Sequence, residues 1–426
     1  MESVPRKRRG YTKGSEEVKQ GDGSIIWSSR FKPSCLFAQV AGWKVSGGPQ
    51  RVALFDLDNT LITTKTGGVF FLDCGDWKWF TPVIPKKLHE LHDNGYLIFI
   101  VTNQLCPPGV ESSESFYNDW RRRFDRVATA LQGVPFRLLA SVRNDWYRKP
   151  LPGMWEAIVQ LLKEEDMEPD LANSFFVGDF AGRRADKCSS DFKFAQNIAI
   201  ALHTPDEYFL GRPVETRKPK GFHPSMIVQH EHWFQPSNTP LVPAVKARKP
   251  ILILFVGLPA IGKSTLYRKY FAQAGYIHIN SSRTSENMTA IEEACSKGKS
   301  VVVESTAPNA SGKTMSTAQR SSTWAFSMPQ SARSPGVADF SRSCIWFADT
   351  DVAWHNNMYR ALGRTEALRE IEGDSKLIPC KDFKDIQGRF EEPARAEGFK
   401  DLKRIYFRFE GTEEERKRYM LWYPLS

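Results

Sequence analysis

Two aspartates spaced by one residue, Asp56 and Asp58, follow four apolar residues, Val52-Ala53-Leu54-Phe55, and precede Asn59-Thr60. The apolar run without alternation reads as a buried strand of a parallel sheet. Such a strand delivers its ligands at the carboxyl end. Side chains at i and i+2 share one side of an extended chain, so the two carboxylates are expected to converge and repel unless a divalent cation sits with them. The chemistry this predicts is metal-assisted nucleophilic displacement at phosphorus. Asp56 attacks and forms an aspartyl-phosphate. Asp58 protonates the leaving oxygen and then deprotonates the water that releases phosphate. A hard cation, Mg²⁺, with oxygen ligands only, suits Asp56 and Asp58.

Three further strings have types that serve the same chemistry. Leu97-Ile98-Phe99-Ile100-Val101 is a second apolar strand, ending in Thr102-Asn103-Gln104, and Thr102 and Asn103 are candidates to hydrogen-bond phosphate oxygens. Lys149, in Arg148-Lys149-Pro150, is a point charge able to neutralise a phosphorane and keep Asp56 ionised. Phe175-Phe176-Val177-Gly178-Asp179 is a third strand, and Asp179 adds a metal oxygen. In this order the four strings resemble the motifs of the haloacid-dehalogenase-like phosphatases.

A second chemistry begins with Ile251-Leu252-Ile253-Leu254-Phe255-Val256 and Gly257-Leu258-Pro259-Ala260-Ile261-Gly262-Lys263-Ser264-Thr265. A G-x-x-x-x-G-K-S string after a strand and before a helix cradles a triphosphate on backbone N–H groups. Lys263 then reaches the β and γ phosphates and Ser264 ligates Mg²⁺. ATP is the expected nucleotide, with Gly257, Gly262, Lys263, Ser264 and Thr265 as its loop.

The elements that position these residues alternate strand and helix. Ile84–His92 opens with Pro85 and buries Leu88 and Leu91. Residues 115–132 space Phe116, Trp120, Phe124, Val127 and Leu131 as a core-facing stripe, and Met154–Glu165 buries Ile158, Leu161 and Leu162. Ile25–Trp27 and Cys35–Val40 predict two antiparallel strands covering a sheet edge. The fold class is therefore α/β, with two doubly wound parallel-sheet domains. The expected division is a basic tail over 1–23, a phosphatase-like domain over 24–212, a Pro-rich linker over 213–249 packed along the surface, and a P-loop domain over 250–426. Residues 311–343 read as a Ser-rich insertion forming a disordered surface loop.

The 426 residues suffice for two or three cores, and 41% hydrophobic content is that of a globular protein. The net charge of +10 and pI of about 9.1 favour a polyanionic partner, nucleic acid being the usual one. Seven scattered cysteines without a C-x-x-C argue against a zinc site or disulfide framework and for a reducing compartment. No apolar run is long enough for a membrane span, and the N-terminus lacks an apolar signal core. Arg6-Lys7-Arg8-Arg9 reads as a disordered tail, a nuclear-import signal or a nucleic-acid arm; the nucleus is the expected location. No phosphopeptide-binding domain is expected at the N-terminus, since about fifty residues are too few to build one of ordinary size. His230 and His232 read as surface histidines.

The match narrows to polynucleotide kinase 3′-phosphatases. In the first domain it is carried by Leu61–Gly67, by Tyr147-Arg148-Lys149-Pro150 with Gly153-Met154-Trp155, by Asp186–Asp191 followed by Phe194-Ala195, and by Thr204–Phe209. In the second it is carried by Gly275–Asn280, Lys297–Glu304, Trp354-His355-Asn356-Asn357 and Gly388–Pro393. The resemblance implies removal of 3′-phosphates from DNA ends, with Asp191 a metal ligand or a group just behind one, and a monomer acting on DNA with 3′-phosphate or 5′-hydroxyl ends. Arg183 and Arg184 then hold a backbone phosphate or are ordinary surface arginines. The kinase half departs from the family. Ser281 and Ser282 stand where Arg-Asp supplies the base for the 5′-hydroxyl, Glu304-Ser305-Thr306-Ala307-Pro308 replaces Asp-Asn-Thr-Asn-Pro, and Met358 replaces a lid arginine while Arg360 is kept. ATP binding is expected and 5′-kinase activity is in doubt, with Glu304 or Glu286 as substitute bases. The alternatives are a fully bifunctional enzyme and a non-catalytic nucleic-acid-binding scaffold; a small-molecule phosphatase is disfavoured by the charge and the attached P-loop domain.

Overall fold

The structure is a computed structural model that describes residues 25–40, 47–104, 113–244, 250–280, 289–305 (apart from 292 and 295) and 341–424 (apart from 348, 374 and 398). The basic tail, Ser281, Ser282, Glu286, Thr306–Pro308 and 311–340 of the insertion lie outside the described residues. The chain divides into two compact units, 1–218 and 219–426.

In the first unit the strands are β1 (Ile25–Ser28), β2 (Cys35–Val40), β3 (Gly48–Gln50), β4 (Val52–Phe55), β5 (Ile62–Thr63), β6 (Lys78–Trp79), β7 (Leu97–Asn103), β8 (Phe136–Ser141), β9 (Met167–Pro169), β10 (Phe175–Val177) and β11 (Ala201–His203). The main sheet runs β1-β2-β8-β7-β4-β10-β11. β8, β7, β4, β10 and β11 are parallel, and the predicted antiparallel pair β1-β2 covers one edge. The helices are α1 (Ile84–Asp93), α2 (Ser113–Ala130), α3 (Gly153–Lys163), α4 (Ser190–Asn197) and α5 (Pro205–Leu210).

β4 alternates between two cores, as a strand covered on both faces must. Ala53 and Phe55 join α1 and α2 through Leu88, Trp120, Phe124 and Val127. Val52 and Leu54 join α3 and α4 through Met154, Ile158, Leu162 and Phe194. This is the doubly wound arrangement, and it leaves the carboxyl ends of β4, β7 and β10 side by side, delivering Asp56, Asn103 and Asp179. The pairing also fixes depth: the amide of Asp56 donates to the carbonyl of Val177 at 2.8 Å, one strand over.

In the second unit β12 (Phe234–Gln235), β13 (Ile251–Val256), β14 (Ile277–Ile279), β15 (Val301–Ser305), β16 (Ser341–Phe347) and β17 (Asp401–Ile405) form a sheet of order β12-β17-β16-β13-β15-β14. All neighbours are parallel except β12, which runs against β17. Two boundaries move. Residues read as the end of the insertion, Ser341–Ser343, begin β16 and pair with Ile251–Ile253 of β13. Residues read as linker are divided. Arg217 donates to Leu202 O and pairs with Glu207 in the first unit, whereas Phe234 and Gln235 extend the second sheet and Leu241 is buried beneath it. Apolar side chains in that segment bury area against the sheet. Among the described residues no helix is long and apolar enough to cross a membrane.

Candidate active sites

After Phe55 the chain leaves the strand line. The carbonyl of Leu57 accepts from the amides of Leu61 (2.9 Å) and Ile62 (3.0 Å), and Asn59 takes φ +56°, a left-handed value that Asn tolerates. The i,i+2 rule therefore stops applying at Asp56. The carboxylates that gather are Asp56, Asp179 and Asp191, with one oxygen of each within 4.8 Å of the others. Asp58 is not in that group, and its Oδ1 is buried without a hydrogen-bond partner among the described residues. Its Oδ2 accepts from Gln104 Nε2 at 2.6 Å.

Lys149 Nζ sits between two members of the cluster, 2.7 Å from Asp56 Oδ1 and 2.8 Å from Asp191 Oδ1. Its placement explains Asn103. The Asn103 side chain accepts from Lys149 N (2.9 Å) and donates to Lys149 O (3.0 Å), gripping the peptide that carries the lysine. Asn103 thus positions Lys149 with one of its two Nδ2 donors, and the second N–H is the one left for the expected phosphate contact. Thr102 is buried at the same strand end, its Oγ1 accepting from Gln104 Nε2 at 3.1 Å. Asp191 opens α4, and its Oδ2 accepts from Phe180 N at 3.0 Å. Gly178 makes room for it: a Cβ there would stand 2.7 Å from Asp191 Cβ, Cγ and Oδ2.

The charges are far from balanced. Burial pushes the Asp56 carboxyl up to about 7; Lys149 opposes that shift, and Asp191 and Asp58 add to it. Burial also raises Asp179 well above the usual carboxylate range, with Asp191 and Asp56 adding repulsion. Lys149 moves upward because Asp191 and Asp56 outweigh its own desolvation. Asp179 Oδ1 is buried with no hydrogen-bond partner among the described residues. A lone lysine against two buried carboxylates and a half-buried one with an orphaned oxygen fits a divalent cation with oxygen ligands. Asp58 is raised by burial too, opposed by Gln104, Arg123 and Lys149, which favours the protonated form a general acid needs.

Sequence reasoning missed three groups. Gln104 was visible in its string but not as the anchor of Asp58, a partner 46 residues away. Arg148 carries a buried Nη1 without a partner among the described residues, and it was visible in its string but given no role; Arg123, which adds to the field at Asp58, has no sequence signal. Arg183, in contrast, is committed to Asp186 (3.1 Å) and Asp206 (3.3 Å), which argues against a phosphate role for it; Arg184 is exposed.

In the second unit residues 257–262 form the loop between β13 and helix α6 (Lys263–Leu266), which continues as a π-helical turn over Tyr267–Phe271. Gly262 has φ +109°, which only glycine adopts readily. Lys263 Nζ donates to the carbonyls of Gly257 and Leu258, both at 2.8 Å. Ser264 Oγ lies 2.8 and 3.0 Å from the two oxygens of Glu304, and His278 Nε2 is 3.1 Å from Glu304. Glu304 is thus engaged at the loop serine, the metal end of such a site, which argues against its expected role as substitute base for an acceptor hydroxyl. Met358 is buried within the helix Thr350–Met358. A cavity of about 290 Å³ opens beside Gly262 and Thr265, lined also by Tyr359, Arg360 and Arg364.

Residues 51–209 match the family model described as polynucleotide kinase 3 phosphatase, and residues 252–326 match one described as an AAA domain. A bifunctional polynucleotide phosphatase/kinase of Schizosaccharomyces pombe is 31% identical over 378 residues, covering 88% of this chain and 83% of the relative. A polynucleotide 3′-phosphatase of Arabidopsis thaliana is 34% identical over 177 residues, 38% of this chain and 24% of the relative. A polynucleotide 3′-phosphatase of Saccharomyces cerevisiae is 28% identical over 209 residues, 38% and 88% respectively. With strand-end carboxylates in one unit and a P-loop in the other, the chain belongs to the bifunctional polynucleotide phosphatase/kinase family.

Proposed function

We propose that the first unit hydrolyses the terminal phosphate from 3′-phosphorylated DNA ends. The observation that carries this is the buried cluster in which Lys149 Nζ bridges Asp56 and Asp191 beside Asp179. A divalent cation, Mg²⁺ by its oxygen preference, would be held by Asp56, Asp179 and Asp191 and supplies charge neutralisation for the phosphoryl oxygens. The Asp56 oxygen not bonded to Lys149 attacks phosphorus. The P–O3′ bond breaks, and Asp58 gives its proton to the departing 3′-oxygen. Asp58 then takes a proton from water, which attacks the aspartyl-phosphate, frees inorganic phosphate and restores Asp56. Lys149 holds positive charge against the transferring group throughout, and Gln104 fixes the acid. The basic charge of +10 supports a polynucleotide substrate.

Asp56→Asn should abolish release of phosphate from a 3′-phosphorylated oligonucleotide, because an amide does not attack phosphorus. Residual activity within tenfold of wild type overturns the assignment. Asp58→Asn should cost on the order of 10²-fold or more.

For the second unit we propose nucleotide binding with Mg²⁺ and weak or absent transfer to a 5′-hydroxyl. The Ser264–Glu304 pair beside the P-loop lysine supports the first half. Ser282 in place of a carboxylate supports the second. Labelled ATP and a 5′-hydroxyl oligonucleotide decide it. Robust labelling by wild type, lost in Lys263→Ala, makes the enzyme fully bifunctional, whereas labelling that appears only in Ser282→Asp supports erosion of the base.

A further inference from the structure

Arg123 is a cation that the phosphatase mechanism leaves unused. It lies on α2 between Trp120 and Phe124, whose rings pack in the same core as Leu57 and Leu61, the residues flanking Asp58. Its guanidinium carbon stands 4.1 Å from the ring centroid of Phe71, which comes from the loop between β5 and β6. The side chain is half-buried, its Nε is shielded from solvent without a hydrogen-bond partner, and it forms no ion pair among the described residues. The groups whose charge it feels are Asp58, Cys74, Asp76 and Asp119. Two of the acids are already committed. Asp76 accepts from Thr66 N (3.0 Å), Thr66 Oγ1 (3.0 Å) and Leu72 N (3.1 Å). Asp119 lies 2.8 Å from Arg122. The third, Asp58, is the proton donor, held by Gln104.

A braced, half-desolvated guanidinium without its own acid is arranged for an anionic ligand that arrives from outside. Its position says which anion. The reacting phosphoryl group belongs with Asp56, Lys149, Asp179 and Asp191. The general acid faces the leaving group, and α2 shares a core with Leu57, next to Asp58, so a cation on that helix stands on the side of the leaving group's anionic part. In a polynucleotide that part is the phosphate on the 5′ side of the terminal nucleotide. We propose that Arg123 binds this penultimate phosphate and so makes the site selective for a nucleotide carrying phosphate at both its 3′ and 5′ positions. The proposal rests on the 3′-phosphatase reading. Arg123 acts as a substrate-binding residue and takes no part in bond making.

The test compares a nucleoside 3′,5′-bisphosphate with the nucleoside 3′-monophosphate, following release of the 3′-phosphate with the full chain. Wild type should prefer the bisphosphate in kcat/KM by on the order of tenfold or more, as a charge-assisted contact supplies. Arg123→Gln should bring that ratio near one through KM, and Arg123→Lys should restore part of it, since an ammonium keeps the charge without the planar fork. Arg122→Gln, at the neighbouring exposed position, should keep the wild-type ratio. An unchanged ratio in Arg123→Gln, or an equal loss on both substrates, overturns the proposal. If Arg123→Gln has no cooperative melt, Arg123→Lys carries the test: a ratio identical to wild type then overturns it. Wild-type hydrolysis of both compounds at equal efficiency sinks the Arg123 assignment and leaves the phosphatase reading standing. Hydrolysis of neither them nor a 3′-phosphorylated oligonucleotide sinks the phosphatase reading itself.

Discussion

Lys149 and Lys263 are the buried lysines of the two candidate sites, each at the carboxyl end of a parallel sheet and 3% and 2% exposed. Their acidities nonetheless move in opposite directions. Lys149 is pushed up because Asp191 and Asp56 outweigh desolvation. Lys263 falls to about 7 because burial dominates; Glu304 opposes the shift and Arg360 adds to it. The nearest partners differ in kind. Lys149 touches two carboxylates, whereas Lys263 touches the carbonyls of Gly257 and Leu258. Burial alone thus fixes neither sign nor role; the charge of the partners does. The first site holds its lysine charged within the protein's own carboxylates. The second depends on the phosphates it would bind to do the same.

That contrast predicts unequal consequences for one substitution. Lys149→Met leaves buried carboxylates without their counter-charge, and removal of one partner of such a cluster costs about 3–5 kcal/mol. The same variant should lose on the order of 10²–10³ in 3′-phosphate release. Lys263→Met removes an amine that burial already disfavours, so its stability loss should be less than half as large, while ATP affinity falls. Chemical denaturation of the two variants checks this, and equal losses would break the comparison.

A smaller effect is expected from Gly178→Ala. The added methyl meets the carboxylate of Asp191 itself, so Asp191 must shift relative to Lys149. Activity should fall by on the order of tenfold, with a weaker response to Mg²⁺ in a metal titration. No counterpart exists at Gly262, where a Cβ meets nothing and only its backbone angle resists substitution.

The smallest effect is on pH-dependent stability. Asp56 is raised from 3.8 to about 7. Between those values the folded state keeps a proton that the unfolded state has released, so stability should decline as pH rises from about 4 to 7. The first unit, held in a chelator, should therefore melt lower at pH 7 than at pH 5, by at least about 1 kcal/mol or 2–4 °C. Mg²⁺ should restore most at the higher pH. A flat chelator profile would show that Lys149 alone balances the cluster.

Legibility followed the same lines. β4, β7, β10 and β13 were readable because a buried parallel strand writes itself as a continuous apolar run, and each chemical string sat at a strand end. Asp191 was readable only through resemblance, since nothing local marks an acid in the first turn of α4 as meeting β4. Asp58 stands apart from the Asp56 group because the extended rule does not hold beyond Phe55, where the Leu57 carbonyl starts a turn. The start of β16 was missed because Ser341-Arg342-Ser343 has no strand pattern; pairing with Ile251–Ile253 imposes it. Arg123 lies beyond sequence reading because the helical stripe of α2 marks Trp120 and Phe124 and says nothing of the cation between them.

β4 lies inside the sheet with β7 on one side and β10 on the other, and its side chains reach into both cores. Its amides at Leu54 and Phe55 cannot meet solvent by fraying of an edge; they are released only when the sheet itself parts. Hydrogen exchange at these positions should therefore run at the rate of global opening. Asp56 hangs from an interior strand of its unit, so partial opening of β1 or β11 leaves it in place, and activity should disappear only at the global transition.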